Sequence, residues 1–177
     1  MWQSLYGCPL FFTIKEVAKI KFIAIDQASA VTGCAIFENN KLVKYNIIEL
    51  KSNKDTHARV EEMIKRIHNQ IIENDVDYVV FEDVSLQTNV STLILLAQIQ
   101  GAIMNTCVMN NISYSVYKPT SWRKLLGFKQ NRNIKRPELK QQAKDYVFNK
   151  YNLKLKEDLC DAICIGEAFI IDKKVED

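Results

Sequence analysis

Four carboxylates stand where buried elements of the chain should end. Asp26 and Glu82 each close a short apolar run, while Asp158 and Asp161 lie three residues apart near the C-terminus. An acid that closes a β-branched or aromatic run lies at the rim of a sheet, and two acids three apart on a helix share a face. Four acids brought together repel one another without a cation. Oxygen-rich sites of this kind suit Mg²⁺ or Mn²⁺ acting on phosphate.

Each acid also has a structural interpretation. Asp26 could form a turn and Glu82 could be a solvated acid at a strand end. Asp158 could be the N-cap of the last helix, and Asp161 an acid of its first turn. Their joint occurrence favours the chemical interpretation.

The region between Lys118 and Lys156 is rich in lysine and arginine and contains few acids. Its loop 128–136 has four cations and no acid. Helix exteriors are often charged, so part of this region could be an ordinary solvated face. The loop nevertheless favours a polyanionic partner.

The composition is that of one globular domain. The chain has 177 residues, 47% hydrophobic and 25% charged, with a formal net charge of +3. We expect an N-terminal extension of unknown role over 1–20 and a single domain over 21–177. Five cysteines without a CxxC pair predict buried thiols in a reducing cytosol rather than disulfides or a zinc site. No apolar stretch is expected to span a membrane, so the prediction is a soluble cytoplasmic protein without a membrane partner.

Hydrophobic periodicity predicts an α/β fold. The strands are expected over 22–26, 31–37, 41–48, 77–82 and 113–117. The helices are expected over 56–74, 91–109 with Ser91 as N-cap, 119–127, 137–151 and 157–172. The first three strands form an antiparallel meander, and the strand–helix–strand segment that follows implies parallel pairing. The result is a mixed five-stranded sheet with helices on both faces.

Three segments in this order resemble the RuvC-type Holliday-junction resolvases. They are Phe22 to Gly33 (FIAIDQASAVTG), Asp77 to Glu82 (DYVVFE) followed by a helix with Gln100-Gly101, and Asp158 to Ala162 (DLCDA). The resemblance implies a ribonuclease-H-like fold and a homodimeric, Mg²⁺-dependent endonuclease. Such an enzyme nicks four-way DNA junctions, and other branched DNA is a further possible substrate.

The resemblance assigns roles to individual residues. Asp26, Glu82, Asp158 and Asp161 match the family's catalytic, metal-binding carboxylates. We expect Asp26 to bridge two ions ~4 Å apart, with Glu82 on one and Asp161 with Asp158 on the other, and cleavage to leave 5′-phosphates. Mn²⁺ is expected to substitute for Mg²⁺, and no nucleotide cofactor is expected. The expected DNA-binding residues are Lys118, Arg123, Lys124, Lys129, Arg132, Lys135, Arg136 and Lys140.

Two departures from the bacterial pattern are visible. The usual Asp-Pro-Gly-Ser turn is Asp26-Gln27-Ala28-Ser29, and Ser85 replaces an aromatic residue thought to stack on unpaired bases. With the abundance of Lys, Ile and Asn, they indicate the phage-borne branch of the family, which would act in the host cytoplasm.

Other functions remain open at this point. A related nuclease could act on structured RNA. A non-catalytic binding module or an actin-like nucleotide-binding protein is suggested by Ser29 and Thr32-Gly33, but five glycines leave little room for a second phosphate loop. Trp122 could belong to the core or form a base-stacking platform. The apolar helix 91–109 is either the homodimer interface or a central core helix.

Overall fold

A computed structural model of the protein describes residues 20–50, 55–84, 89–131 and 133–175. Its five strands form one sheet: β1 (Lys21–Asp26), β2 (Val31–Glu38), β3 (Lys41–Glu49), β4 (Tyr78–Glu82) and β5 (Ser113–Tyr117). The spatial order is β3-β2-β1-β4-β5. Pairing is antiparallel from β1 to β2 and from β2 to β3, and parallel from β1 to β4 and from β4 to β5. The predicted mixed sheet is therefore confirmed.

Five helices accompany the sheet: α1 (Thr56–Glu73), α2 (Val90–Met109), α3 (Pro119–Leu125), α4 (Arg136–Tyr151) and α5 (Glu157–Val175). Their bounds agree with the predicted ones to within about a turn, α5 extending beyond residue 172. The predicted N-cap Ser91 is wrong. Asn89 caps α2, because its side chain accepts hydrogen bonds from the backbone N–H groups of Ser91 and Thr92.

The helices cover both faces of the sheet, as predicted. Along β1, Phe22 and Ala24 pack in one core with residues of α3, α4 and α5. Ile23 and Ile25, which point the other way because side chains alternate along a strand, pack in a second core with α1 and α2. Helix α5 lies against β1 and β2, so its first turn is held beside the ends of the central strands.

Helix α2 corrects one expectation. By length and composition alone it could span a membrane, although no apolar stretch was expected to do so. Its buried residues, among them Ile99 and Ile103, pack in the core shared with α1, while Ile94 on another side is 52% exposed. The helix thus combines a core face with an exposed apolar face.

The cysteine prediction holds within the described residues. Cys34, Cys107, Cys160 and Cys164 are all free and buried. The expectation for the N-terminal extension concerns residues that, apart from Ile20, lie outside the described part of the chain.

Candidate active site

The four predicted carboxylates line one cavity of about 430 Å³. Asp26 is the last residue of β1 and Glu82 the last residue of β4. Because these strands are parallel neighbours, their carboxyl ends meet at the same edge of the sheet. Asp158 and Asp161 reach that edge from the start of α5. The structure thus brings together all four acids chosen from the sequence.

Gly33 allows the start of α5 to pack closely against β2. Gly33 on β2 is the cross-strand partner of Asp26. A Cβ atom added to Gly33 would lie 2.5 Å from the carbonyl carbon of Asp158, closer still to its oxygen, and 3.0 Å from the backbone nitrogen of Leu159. The missing side chain at Gly33 therefore lets the helix backbone rest on β2 and carry its acids to Asp26.

Thr32, the residue before Gly33, stabilises the turn that follows β1. Thr32 is fully buried, and its hydroxyl accepts a hydrogen bond from the backbone N–H of Ala28 and donates one to the carbonyl of Ala28, both at 3.0 Å. Thr32 and Gly33 therefore have structural roles in the turn and in helix packing. These roles account for the Thr-Gly pair that had suggested an actin-like phosphate loop.

The cavity holds an excess of negative charge. Burial, followed by the nearby Asp161 and Glu82 carboxylates, raises the pKa of Asp26 well above its ordinary value. Burial also raises the pKa values of Glu82 and Asp161. Ionising all of these groups at neutral pH is therefore costly without a compensating cation.

Lys140 supplies one such cation from α4. Its ammonium group forms an ion pair with Asp161, whose side chain is only 4% exposed. Burial alone would lower the pKa of Lys140, but the Asp161 and Asp26 carboxylates raise it. Lys140 therefore stays charged and offsets part of the repulsion among the acids.

The donor set fits a hard divalent cation. All four acids offer carboxylate oxygens, and burial, followed by the Asp161 and Glu82 carboxylates, raises the pKa of Asp26, so a bound cation would favour its ionised form. Among the described residues, no three acid, histidine or cysteine side chains are grouped closely enough to hold one ion as they stand. Binding of one ion by three of these acids would therefore require side-chain adjustment within the cavity.

Glu82 has two hydrogen-bond partners that the sequence interpretation missed. The indole Nε1–H of Trp122 donates to its carboxylate Oε2 at 2.7 Å, and the side-chain amide of Gln27 donates to its backbone carbonyl. Trp122 is therefore a core residue with a polar contact to the site. The general need of a buried indole N–H for an acceptor was the available signal. The neighbouring Asp83 instead accepts from Gln100 on α2.

Three of the eight predicted DNA-binding side chains line the cavity with the acids, namely Arg123, Arg136 and Lys140. Four others are exposed but do not line it, and these are Lys118, Lys124, Lys129 and Lys135. Arg132 lies outside the described residues. The basic region thus divides into a group at the cavity and a group on the surrounding surface.

Solved structures share this architecture. Thermus thermophilus RuvC in complex with a Holliday junction substrate matches with a TM-score of 0.70 at 13% identity, covering 88% of this chain and 96% of that one. The Fowlpox virus resolvase in complex with Holliday junction DNA matches with a TM-score of 0.61 at 17% identity, covering 86% and 98%. The sheet order and these likenesses define a ribonuclease-H-like fold.

Sequence comparison identifies the family. The family model described as crossover junction endodeoxyribonuclease RuvC matches residues 22–166. The chain belongs to the RuvC family, which is dependent on divalent metal.

Two curated relatives carry the same description. The RuvC of Caldicellulosiruptor saccharolyticus is 28% identical over 105 residues, which cover 56% of this chain and 63% of that protein. The RuvC of a Nitratiruptor species is 27% identical over 111 residues, covering 60% and 70%. The match thus spans less than two thirds of the length of the first relative.

Proposed function

We propose that this protein is a metal-dependent DNA endonuclease that resolves four-way junctions by paired nicks. The observation that carries the proposal is the convergence of Asp26, Glu82, Asp158 and Asp161 on one cavity in a member of the RuvC family. Two proteins of the same fold are described in complex with Holliday junction DNA, which supports branched DNA as the substrate. Within this proposal, residues 21–177 act as a single nuclease domain.

The four acids would hold the metal, which we propose to be Mg²⁺, two ions per site, with Mn²⁺ as a substitute. When bound, the metal would activate water and stabilise the leaving 3′-oxygen, so that the products carry a 5′-phosphate and a 3′-hydroxyl. The acids would orient these ions from two rigid strand ends and a helix packed against them. Such fixed orientation is what electrostatic stabilisation of a transition state requires.

Basic side chains at the cavity would hold the DNA backbone at the cut. Arg123 and Arg136 line the cavity beside the acids, and Lys140 is within contact of Asp161. An arginine fork can bind phosphate through two hydrogen bonds, whereas Lys140 acts as a single charge. Once a cation binds the acids, the Lys140 ammonium group would be released to contact phosphate. Contacts of this kind position the backbone and carry little sequence information.

We further propose a homodimer through the exposed face of α2. Val90 and Ile94 are 65% and 52% exposed, and Val108 and Met109 continue the exposed apolar surface at the other end of the helix. Gly101 on this helix is exposed, and an added Cβ would meet no atom of the described residues within 4 Å. Packing among the described residues therefore gives no reason for a glycine there, although glycine costs about 1 kcal/mol relative to alanine in a helix.

Light scattering tests the dimer. The wild type is expected to run as a dimer at micromolar concentration, and Ile94→Glu as a folded monomer. Asn69→Glu on the exposed side of α1 adds the same single negative charge and, as the control, should remain dimeric. A monomeric wild type would contradict paired nicking by one assembly, because two strands related by two-fold symmetry need two active sites.

The cellular setting is also a proposal. The departures at Gln27 and Ser85 and the Lys, Ile and Asn content support a phage-borne member that acts in the host cytoplasm.

A cleavage assay tests the activity. Labelled four-way junction, linear duplex of the same sequence and a structured RNA are each incubated with wild type or Asp26→Asn, in Mg²⁺ or EDTA. Paired nicks on the junction alone, abolished by EDTA and by the substitution, are the expected result. Preferential cleavage of the RNA would contradict junction DNA as the substrate and indicate structured RNA instead. Binding without any cleavage would indicate a non-catalytic binding module.

A further inference from the structure

We propose that Trp122 and Gln27 form a clamp on Glu82 that orients its carboxylate and leaves Oε1 free to bind metal. The inference rests on the metal site of the proposed function and adds two positioning residues to it. Trp122 holds the side chain of Glu82 and Gln27 holds its main chain.

The contact with Trp122 leaves little freedom to the carboxylate. The indole ring is fully buried, and its Nε1–H has only a donor role, which Glu82 Oε2 satisfies at 2.7 Å. Oε1 receives no hydrogen bond from the described residues. Oε1 is therefore the oxygen that Glu82 would offer to an ion without sharing it with a hydrogen-bond donor, and the indole sets the orientation of the carboxylate.

The indole is itself held in place by packing. The guanidinium of Arg123 lies 4.6 Å from the ring centroid, and the ring of Phe128 meets the indole edge-on at 5.9 Å. Helix α3 is positioned directly after β5, whose last residue Tyr117 accepts a hydrogen bond from the backbone N–H of Asp83. The indole donor thus lies on the helix that follows β5, and the Glu82 carboxylate lies at the end of β4, beside the hydrogen bond that links the two segments.

Gln27 extends the sheet by one side-chain hydrogen bond. The parallel pairing of β1 with β4 ends at Ile25 and Phe81, one residue before the two acids. The Gln27 amide then bridges from the end of β1 to the carbonyl of Glu82. A carbonyl needs a donor, so the amide nitrogen must face Glu82. The proline usual at this position in the family pattern has no donor for this bond.

Gln27 also places a polar atom at the cavity that has no hydrogen-bond partner among the described residues. The residue is 8% exposed and lines the cavity, and its Oε1 is buried without a hydrogen-bond partner in the described part of the chain. A buried amide oxygen left unpaired is destabilising. Hydrated Mg²⁺ and Mn²⁺ keep bound waters that can donate hydrogen bonds, so ion binding offers the missing donor.

Hydrogen-bond partners behind metal ligands typically contribute 10–100-fold to metal affinity. Replacing Trp122 by β-(3-benzothienyl)alanine keeps the shape of the ring and removes the N–H donor. Gln27→Met keeps the side-chain length and removes the amide. We expect each change to weaken Mn²⁺ binding by about 10-fold or more.

The test is a titration of the full-length, EDTA-treated protein with Mn²⁺, in which unbound Mn²⁺ is measured by electron paramagnetic resonance without DNA. Tyr151→Phe is the matched control, because it also removes a hydrogen-bond donor to a buried carboxylate, that of Glu167, which does not line the cavity. The expected result is normal Mn²⁺ affinity in the control and weaker affinity in both clamp variants. The benzothienyl change should alter the Mn²⁺ affinity by less than twofold in a Glu82→Gln background, since the hydrogen bond it removes is the one to the Glu82 carboxylate.

Other outcomes overturn the clamp in distinct ways. Wild-type affinity in both clamp variants, or equal losses in Tyr151→Phe and the benzothienyl variant, would show that the indole N–H of Trp122 has no specific role in metal binding while leaving the metal site intact. An additive loss in the Glu82→Gln background would show that Trp122 acts elsewhere. A wild type that binds no more Mn²⁺ than Asp26→Asn would remove the metal site itself and the clamp with it.

Discussion

The substitution Gly33→Ala tests how α5 delivers its acids. The new Cβ would lie 2.5 Å from the Asp158 carbonyl carbon, whereas ordinary contacts of this kind are 3.4 Å or longer. Both groups belong to backbone, so neither can rotate away. The start of α5 must therefore move from β2 by about 1 Å, carrying Asp158 and Asp161 away from Asp26.

Two magnitudes follow from this displacement. Overpacking of a close-packed interior costs about 1–3 kcal/mol of unfolding free energy. In a protein of this size, 1 kcal/mol shifts Tm by roughly 2–4 °C, so Tm is expected to fall by several degrees. Misplacing catalytic groups by about 1 Å costs on the order of 100-fold in rate, so junction cleavage should fall by that factor well below Tm.

Two other glycines separate these effects. An alanine Cβ at Gly166 would approach the Phe37 ring to 2.7 Å at Cζ, so Gly166→Ala should also lower Tm, but through a contact remote from the acids. An alanine Cβ at Gly101 meets no atom of the described residues within 4 Å, so Gly101→Ala should leave the position of α5 unchanged. Thermal unfolding and single-turnover cleavage are measured on all three. If Gly33→Ala loses no more activity than Gly166→Ala at equal fractional folding, the positional argument is refuted.

Three further predictions concern charge. Burial and the neighbouring acids raise the pKa of Asp26, so folding favours its protonated form and stability falls as pH rises from about 4 through the raised value. Asp26→Asn should thus raise Tm in EDTA at pH 8 and lose this advantage near pH 4; a lower Tm at pH 8 would contradict it. Glu167 on α5 is 1% exposed and is bound by a lysine and two tyrosines of α4. Glu167→Ala should lower the unfolding free energy by about 2–4 kcal/mol in urea titrations, while Glu167→Gln should lose less; equal stability of wild type and alanine variant would refute the role of this network. Arg123→Ala with Arg136→Ala should reduce the slope of log affinity against log salt by about 2 in junction-binding assays, whereas Lys65→Ala should leave it unchanged. An unchanged slope in the double variant would remove both arginines from the DNA interface.

Much of the site follows from sequence because strand ends can be located from hydrophobic patterns. Asp26 and Glu82 close apolar runs, and parallel pairing then places them at one edge. The spacing of Asp158 and Asp161 put both on one helix face. The order of the predicted strands and helices likewise indicated helices on both faces of the sheet, and the two cores confirm it.

Contacts between distant segments were not predictable in this way. Trp122 lies 40 residues from Glu82, and nothing in its local pattern specifies which acceptor its indole reaches. The division of the basic region into a group at the cavity and a group on the surrounding surface could not be predicted either. The sequence gives the positions of the charges along the chain, but not the directions in which the side chains point. Gly33 was recognised as part of a motif, but its role depends on the path of α5. The N-cap of α2 was misplaced by two residues because asparagine and serine cap helices about equally well.

The most direct test of the central claim is to locate Mn²⁺ in crystals by anomalous scattering. Ion peaks are expected inside the cavity, bound by Asp26, Glu82 and the acids of α5, with the Lys140 ammonium group displaced from Asp161. Peaks absent from this cavity at saturating Mn²⁺, or confined to other surfaces, would contradict the assignment of these four acids as the metal centre of a junction-cutting nuclease.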